Sequence, residues 1–280
     1  MIPSAAFWPS RGNRCHAPPN THYANLTFDK CAFDGNVAID GEGGAVWARR
    51  AHVTIEGGEL LDNNANRYGG AVHAVDGRLK IQGGSRFEGN QANKGGGALF
   101  NGRGEPGSNK PLPLCSMTDA AFVSKSVYPE DQHDDDEYGD PLTTTSAGGA
   151  ALFMLAVVDI TNSVFSGNYT ANSGEALNGG FETSMAVTGC LFGNNTAGGY
   201  GGAILASFMT LGGSTQLTDN TAFEGGGAVN GSAVRQYSIC ICILEWNHSA
   251  QVEHQGMTGG SQDKRLYSAR TASPNIKTSA

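Results

Sequence analysis

The chain has 280 residues, a formal net charge of −8 and 41 glycines, so glycine runs at about twice its usual share of ~7%. Collagen is excluded because glycine does not fall at every third position. Disorder of the chain as a whole is disfavoured because apolar residues make up 39% of it and recur on a schedule. Long amphipathic helices are disfavoured, since each interior glycine costs about 1 kcal/mol against alanine, and a pI near 5.3 without a basic cluster argues against a nucleic-acid partner.

In chain order, residues 1–24 read as an irregular N-terminal segment. They carry Pro, Arg and Asn where a secretory leader needs an apolar core, so no signal peptide is visible there. From residue 25 one phrase recurs: an aromatic or Leu, two residues, Asn, and then Gly-Gly-Ala plus an aliphatic residue. The copies are Phe33–Asn36 with Gly43–Val46, Leu60–Asn63 with Gly69–Val72, and Phe87–Asn90 with Gly96–Leu99. Later ones are Phe165–Asn168 with Gly174–Leu177, Phe192–Asn195 with Gly201–Ile204, and Leu217–Asn220 with Gly226–Val229. Asn follows Asn at 27 (36 to 63), 27 (63 to 90), 27 (168 to 195) and 25 (195 to 220) residues.

A seventh copy is stretched by insertions. Its first half is Phe122–Lys125, with Lys in the Asn slot, and its second half is Gly148–Leu152. The excess sits in 103–114 and 128–146, both bracketed by Pro and Gly and read as loops leaving the repeat at turns. Residues 25–235 therefore form one repeat domain. Residues 236–280 form a C-terminal segment, partly disordered, in which Tyr237–Trp246 is expected to cover the last copy as a strand. The longest mostly apolar run, near Ala147–Val158, is short of the ~18 residues of a membrane span, so no transmembrane segment is expected. The six cysteines (15, 31, 115, 190, 240 and 242) show no CxxC and no fixed period, and indicate no disulfide framework.

Ahead of each Phe-x-x-Asn lies an alternating stretch, such as Val53-Thr-Ile55 or Leu79-Lys-Ile81, which is the signature of a strand with one buried face. Several short strands per copy leave no room for a helix. The fold class that follows is all-β, a parallel β-helix of about seven rungs with two inserted loops. At ~4.8 Å per rung its rod is roughly 34 Å long. Equivalent residues then stack: Phe33, Phe87, Phe165 and Phe192 as an interior ladder, and Asn36, Asn63, Asn90, Asn168, Asn195 and Asn220 at an inward turn, where an amide bonds rung to rung. Gly-Gly supplies the positive φ of a tight corner.

These motifs resemble the polymorphic outer membrane protein repeat, whose hallmark is FxxN with GGA[ILV]. The resemblance spans about residues 25–235. It implies a right-handed parallel β-helix, a surface-exposed or secreted location, and a role in adhesion or ligand binding, with cell-surface proteins or polysaccharides as partners.

Parallel β-helices also include polysaccharide lyases and hydrolases, so a carbohydrate-active enzyme is the alternative reading. Such a site needs clustered carboxylates, whereas acids within the rungs are sparse and no catalytic residue stands out. The one dense acidic run, Glu130–Asp140, makes Asp134, Asp135, Asp136 and Glu137 a weak Ca²⁺ candidate through oxygen ligands. A solvated loop is the plainer reading of that run. No other cofactor is expected.

Overall fold

The computed structural model describes residues 13–16, 24–102, 112–123, 126–127, 150–171, 176–236, 243–245 and 248–249. No helix occurs among them. Each copy of the phrase is one turn of a parallel β-solenoid. A typical turn runs through Val72–Val75 after Gly-Gly-Ala, Arg78–Gln82 before the aromatic, Arg86–Glu88 carrying Phe87, and Gln91–Ala92 after Asn90. The first two kinds of strand share a 13-stranded sheet, and the other two form 8-stranded sheets of their own. The pairing is parallel and advances one copy at a time. Leu79 lies between Val53 and Cys115, Phe87 between Leu60 and Phe122, and Gln91 between Asn64 and Ser126.

Period-2 alternation decides what is inside. Val53 and Ile55, Leu79 and Ile81, Cys115 and Met117, and Val158 and Ile160 all point inward and are buried, while the residues between them face out. In the last copies the two strands of the wide sheet merge into single runs, Leu177–Thr188, Ile204–Gly212 and Val229–Gln236. The extra residues of the first run are taken up by a register shift between Gly179 and Ser184.

Corners are made by left-handed residues. The residue before each Asn has positive φ: Gly35 63°, Asp62 51°, Gly89 63°, Gly167 64°, Asn194 56° and Asp219 54°. The two glycines of Gly-Gly-Ala have different tasks. The first, as at Gly69 (φ 66°), takes the left-handed turn. The second, as at Gly70, has no room for a side chain, because a Cβ would overlap the carbonyl oxygens of Gly97 and Gln91.

The ladder reaches beyond residues 25–235. Asn13–His16 pairs with Val46–Arg49, Ile243–Glu245 with Gln216–Thr218, and His248–Ser249 with Thr221–Ala222. Ala24 already opens the strand Ala24–Asp29. Each 8-stranded sheet thus holds one strand more than the seven copies read above. The reason is that backbone pairing needs neither an aromatic nor Gly-Gly, so a rung can exist without the full phrase. Likewise Leu114 begins the strand Leu114–Thr118 and is not the end of an insertion. The rest of that insertion up to 111, the insertion 128–146, and residues 250–280 lie outside the described residues.

Candidate binding surface

The interior positions come together as columns. The rings of Phe87 and Phe122 stack at 4.5 Å and 7°, Phe122 and Phe165 at 4.9 Å and 6°, and Phe165 and Phe192 at 4.9 Å and 4°. Leu60 and Leu217 continue the column at either side, fully buried. Phe33, at the leading end, is only half-buried and meets Phe28 edge-on at 5.2 Å and 88°.

The asparagines form a second column. The backbone N–H and Nδ2 of Asn36 donate to Asn63 Oδ1 (3.1 and 2.8 Å), and those of Asn63 donate to Asn90 Oδ1 (3.0 and 2.9 Å). Asn168 bonds to Asn195 (3.2 and 2.7 Å), and Asn195 to Asn220 (3.2 and 2.7 Å), in the same way. From Asn63 on, each Nδ2 also reaches a backbone carbonyl of the preceding turn, as Asn90 does at Leu60 (2.8 Å) and Asn220 at Phe192 (3.1 Å), whereas that of Asn36 reaches Asp34 O of its own turn (3.4 Å). Asn168 Oδ1 is buried without a partner. The residue one copy earlier in this slot, Lys125, lies outside the described residues.

A third interior column escaped the sequence reading: Cys31, Gly58, Ser85, Ala120, Ser163, Cys190 and Thr215. Here the side chain of one copy accepts from the backbone of the copy before. Gly58 N–H donates to Ser85 Oγ (3.3 Å), Ala120 N–H to Ser163 Oγ (3.2 Å), and Cys190 N–H to Thr215 Oγ1 (3.4 Å). Burial pushes the Cys190 thiol up to about 11, so it stays protonated and serves as a small neutral member of this column. The residues share small size, not a letter, and only Ser, Cys and Thr among them bond to the neighbouring copy, which is why the repeat did not reveal them.

All these groups are inside, so any recognition must use the outer faces. The outer face of the strands ahead of the aromatic changes character along the rod. In the leading half it presents Asn25, Thr27 and Asp29, then His52, Thr54 and Glu56, then Arg78, Lys80 and Gln82. Arg78 N–H donates to His52 Nδ1 at 3.3 Å. Burial and, second, the Arg78 charge hold the His52 imidazole below its ordinary range. In the trailing half the same face becomes apolar and hydroxylic. Leu114, Val157, Ser184 and Phe208 form one column. Leu114 (39%), Val157 (40%) and Phe208 (54%) are exposed. Beside them run Ser116, Asp159, Ala186 and Thr210, then Thr118, Thr161 and Thr188. Asp159 is the only charged residue among these, and the following strand places Arg235 in register with Thr210 in the same column.

A further outer column is closed over. Trp47, His73 and Phe100 stack, with His73 and Phe100 at 4.7 Å and 21°. Tyr68 lies against His73 and Phe100, and Tyr68, Val75, Phe100 and Leu152 make a small cluster separate from the main core. Burial, against a lesser opposing hydrogen bond to the Tyr68 backbone, drops the His73 pKa to about 3, and its Nδ1 is without a partner. Ion pairs flank the column, Arg67 with Glu42 at 3.4 Å and Arg49 with Asp76 at 3.7 Å.

Asp134, Asp135, Asp136 and Glu137 lie outside the described residues. Among those described, no three His, Cys, Asp or Glu side chains gather to hold a metal, and no helix is long and apolar enough to cross a membrane.

The spacing of ring, amide and Gly-Gly-Ala can now be compared with known proteins. Two stretches match the family model of the Chlamydia polymorphic membrane protein repeat. They are residues 84–102 and 189–207. The first contains Phe87–Asn90 with Gly96–Leu99, and the second Phe192–Asn195 with Gly201–Ile204. The likeness to the polymorphic membrane protein repeat therefore holds at two of the copies that carry both halves of its hallmark, and these stack within the same columns. No curated protein and no solved structure matches the chain.

Proposed function

We propose that this protein is a non-catalytic, surface-exposed or secreted scaffold that binds its ligand through an outer face of the solenoid. The likeness to the polymorphic membrane protein repeat supports the location and the adhesive role. The observation that carries the binding face is the change from charged to apolar and hydroxylic residues between Arg78 and Leu114. Leu114, Val157 and Phe208 stand exposed on a ruled surface with rows of threonine beside them. Side chains fixed at ~4.8 Å along a rigid sheet can meet an extended polysaccharide or a flat protein surface without losing much freedom, and exposed apolar columns of this kind mark interaction sites.

The test is adhesion of beads coated with the full chain to cells and to arrays of immobilised pectins, alginates and glucans. Native protein should bind at least one of these surfaces. Val157→Asp with Phe208→Asp should lower retention tenfold or more while the unfolding curve stays in place. Release of soluble sugar from any polysaccharide would replace this reading with an enzymatic one.

A further inference from the structure

On the outer face ahead of the aromatic, the four rungs that carry Leu114, Val157, Ser184 and Phe208 differ in charge from their neighbours. The rung before them sets Arg78 in register with Leu114 and Lys80 with Ser116. The rung after them sets Arg235 in register with Thr210. Among the described side chains of this face between those rungs, the charges are two exposed carboxylates, Asp159 and, at the corner after Thr118, Asp119.

Two columns of this stretch lie side by side. Leu114, Val157 and Phe208 are exposed and apolar, with exposed Ser184 among them. Ser116, Asp159, Ala186 and Thr210 run beside them, two residues further along each strand and hence about 6.6 Å away. From Leu114 to Phe208 is three steps, roughly 14 Å along the rod. Thr118, Thr161 and Thr188 border the pair and add hydroxyls without charge.

This arrangement discriminates between kinds of ligand. A polyanion meets two carboxylates and no described cation, so like-charge repulsion opposes it. A purely apolar partner strips water from Asp159 and the hydroxyls beside it and returns no hydrogen bonds. A neutral sugar chain carries both surfaces required, C–H groups on its ring faces and hydroxyls along its edges. Resting on the scaffold reading above, we infer that the ligand of this face is a neutral, unbranched polysaccharide lying along the rod. Its ring faces cover Leu114, Val157 and the Phe208 ring. Its hydroxyl edge donates to the Asp159 carboxylate and exchanges hydrogen bonds with Ser116 and Thr210.

Affinity electrophoresis of the full chain tests this, with gels holding hydroxyethyl cellulose, laminarin or a galactomannan set against gels holding polygalacturonate or alginate. At least one neutral polymer should retard the chain, and neither polyuronate should. The retardation should change less than about twofold between ~0.05 and ~0.5 M NaCl, because no ion pair is there to be screened. Asp159→Ala should weaken retention about tenfold, whereas Asp159→Asn, which keeps an accepting oxygen, should weaken it less than about threefold. Asp159 is exposed, so neither change should move the unfolding curve. An apolar or anionic partner requires the opposite sign, tighter binding by Asp159→Ala. Retardation by either polyuronate, unchanged or tighter retention by Asp159→Ala, or no retardation by any polymer while coated beads still adhere to cells through Val157 and Phe208 would overturn this ligand class and leave the scaffold reading standing. Failure to adhere to any surface would overturn both.

Discussion

Replacing Asn195 by Asp alters one NH₂ to an oxygen and almost nothing in volume, so it isolates the hydrogen-bond chemistry of the amide column from its packing. Asn195 is fully buried. Its Oδ1 receives the backbone N–H and Nδ2 of Asn168 at 3.2 and 2.7 Å, and its Nδ2 donates to Asn220 Oδ1 at 2.7 Å and Phe165 O at 3.2 Å. Asp keeps the accepting oxygen but turns the other toward two acceptors. Phe165 O and Asn220 Oδ1 each lose one donor, though Asn220 Oδ1 keeps the Asn195 backbone N–H at 3.2 Å, so at about 1–3 kcal/mol each the loss is at most about 2–6 kcal/mol, against a typical total of ~5–15 kcal/mol. Burial and the facing oxygens both favour the protonated acid, which raises its folded pKa above the ordinary ~3.9. The protonated form donates one of the two lost bonds. A raised pKa gives stability that is complete below the unfolded value and is lost as pH rises through the folded one. Relative to the native chain, the variant should therefore be weakest at pH 7 and recover toward pH 5. Urea unfolding of both proteins at the two pH values reads this directly. A variant within about 0.5 kcal/mol of native at pH 7, with no recovery on acidification, would refute the role assigned to the column.

Three more expectations follow from the same geometry. Phe165→Ala removes a sealed ring stacked on both faces and should cost about 4 kcal/mol in urea unfolding; Phe165→Leu, the residue this column already uses at positions 60 and 217, should cost only about 1–2 kcal/mol, chiefly the lost ring pairs. Gly70→Ala drives a Cβ into two carbonyl oxygens and should prevent folding as judged by circular dichroism, whereas Gly84→Ala meets nothing within 4 Å and, at φ 77°, should cost about 1 kcal/mol. His73 titrates near 3 when folded and near 6.5 when unfolded, so stability is full above 6.5 and falls by about 1.4 kcal/mol per unit below it. The native chain should lose roughly 2 kcal/mol between pH 7 and pH 5 from this group, and His73→Phe, matching Phe100 beside it, should flatten that part of the pH profile.

How much of this was legible depended on whether a position demands one residue type. The ring and amide columns were readable because a sealed aromatic slot accepts little besides Phe or Leu, and because only an amide both donates and accepts along a stack. The slots also discriminate between neighbours: Leu60 is buried while Leu61 is not, and Asn195 is buried while Asn194, in the left-handed corner, is exposed. The Cys31-to-Thr215 column stayed hidden because Gly, Ala, Ser, Cys and Thr all satisfy it. The closed aromatic column was hidden because outward positions such as Trp47, His73 and Phe100 repeat no letter. The strand Ile243–Glu245, with Leu244 opposite Leu217, is hard to read from the repeat because no Gly-Gly-Ala follows it, although Leu244 stands 27 residues after Leu217.

The central claim is that residues one copy apart lie one strand apart. Spin labels at exposed Glu59, Leu191 and Gln216, all in one outer column, measure it. The account predicts backbone separations of about 19 Å for Glu59 to Leu191 and about 24 Å for Glu59 to Gln216, so that 25 residues of chain add a single ~4.8 Å step. Distances that do not grow by one strand spacing per copy, or that exceed about 40 Å for either pair, would contradict it.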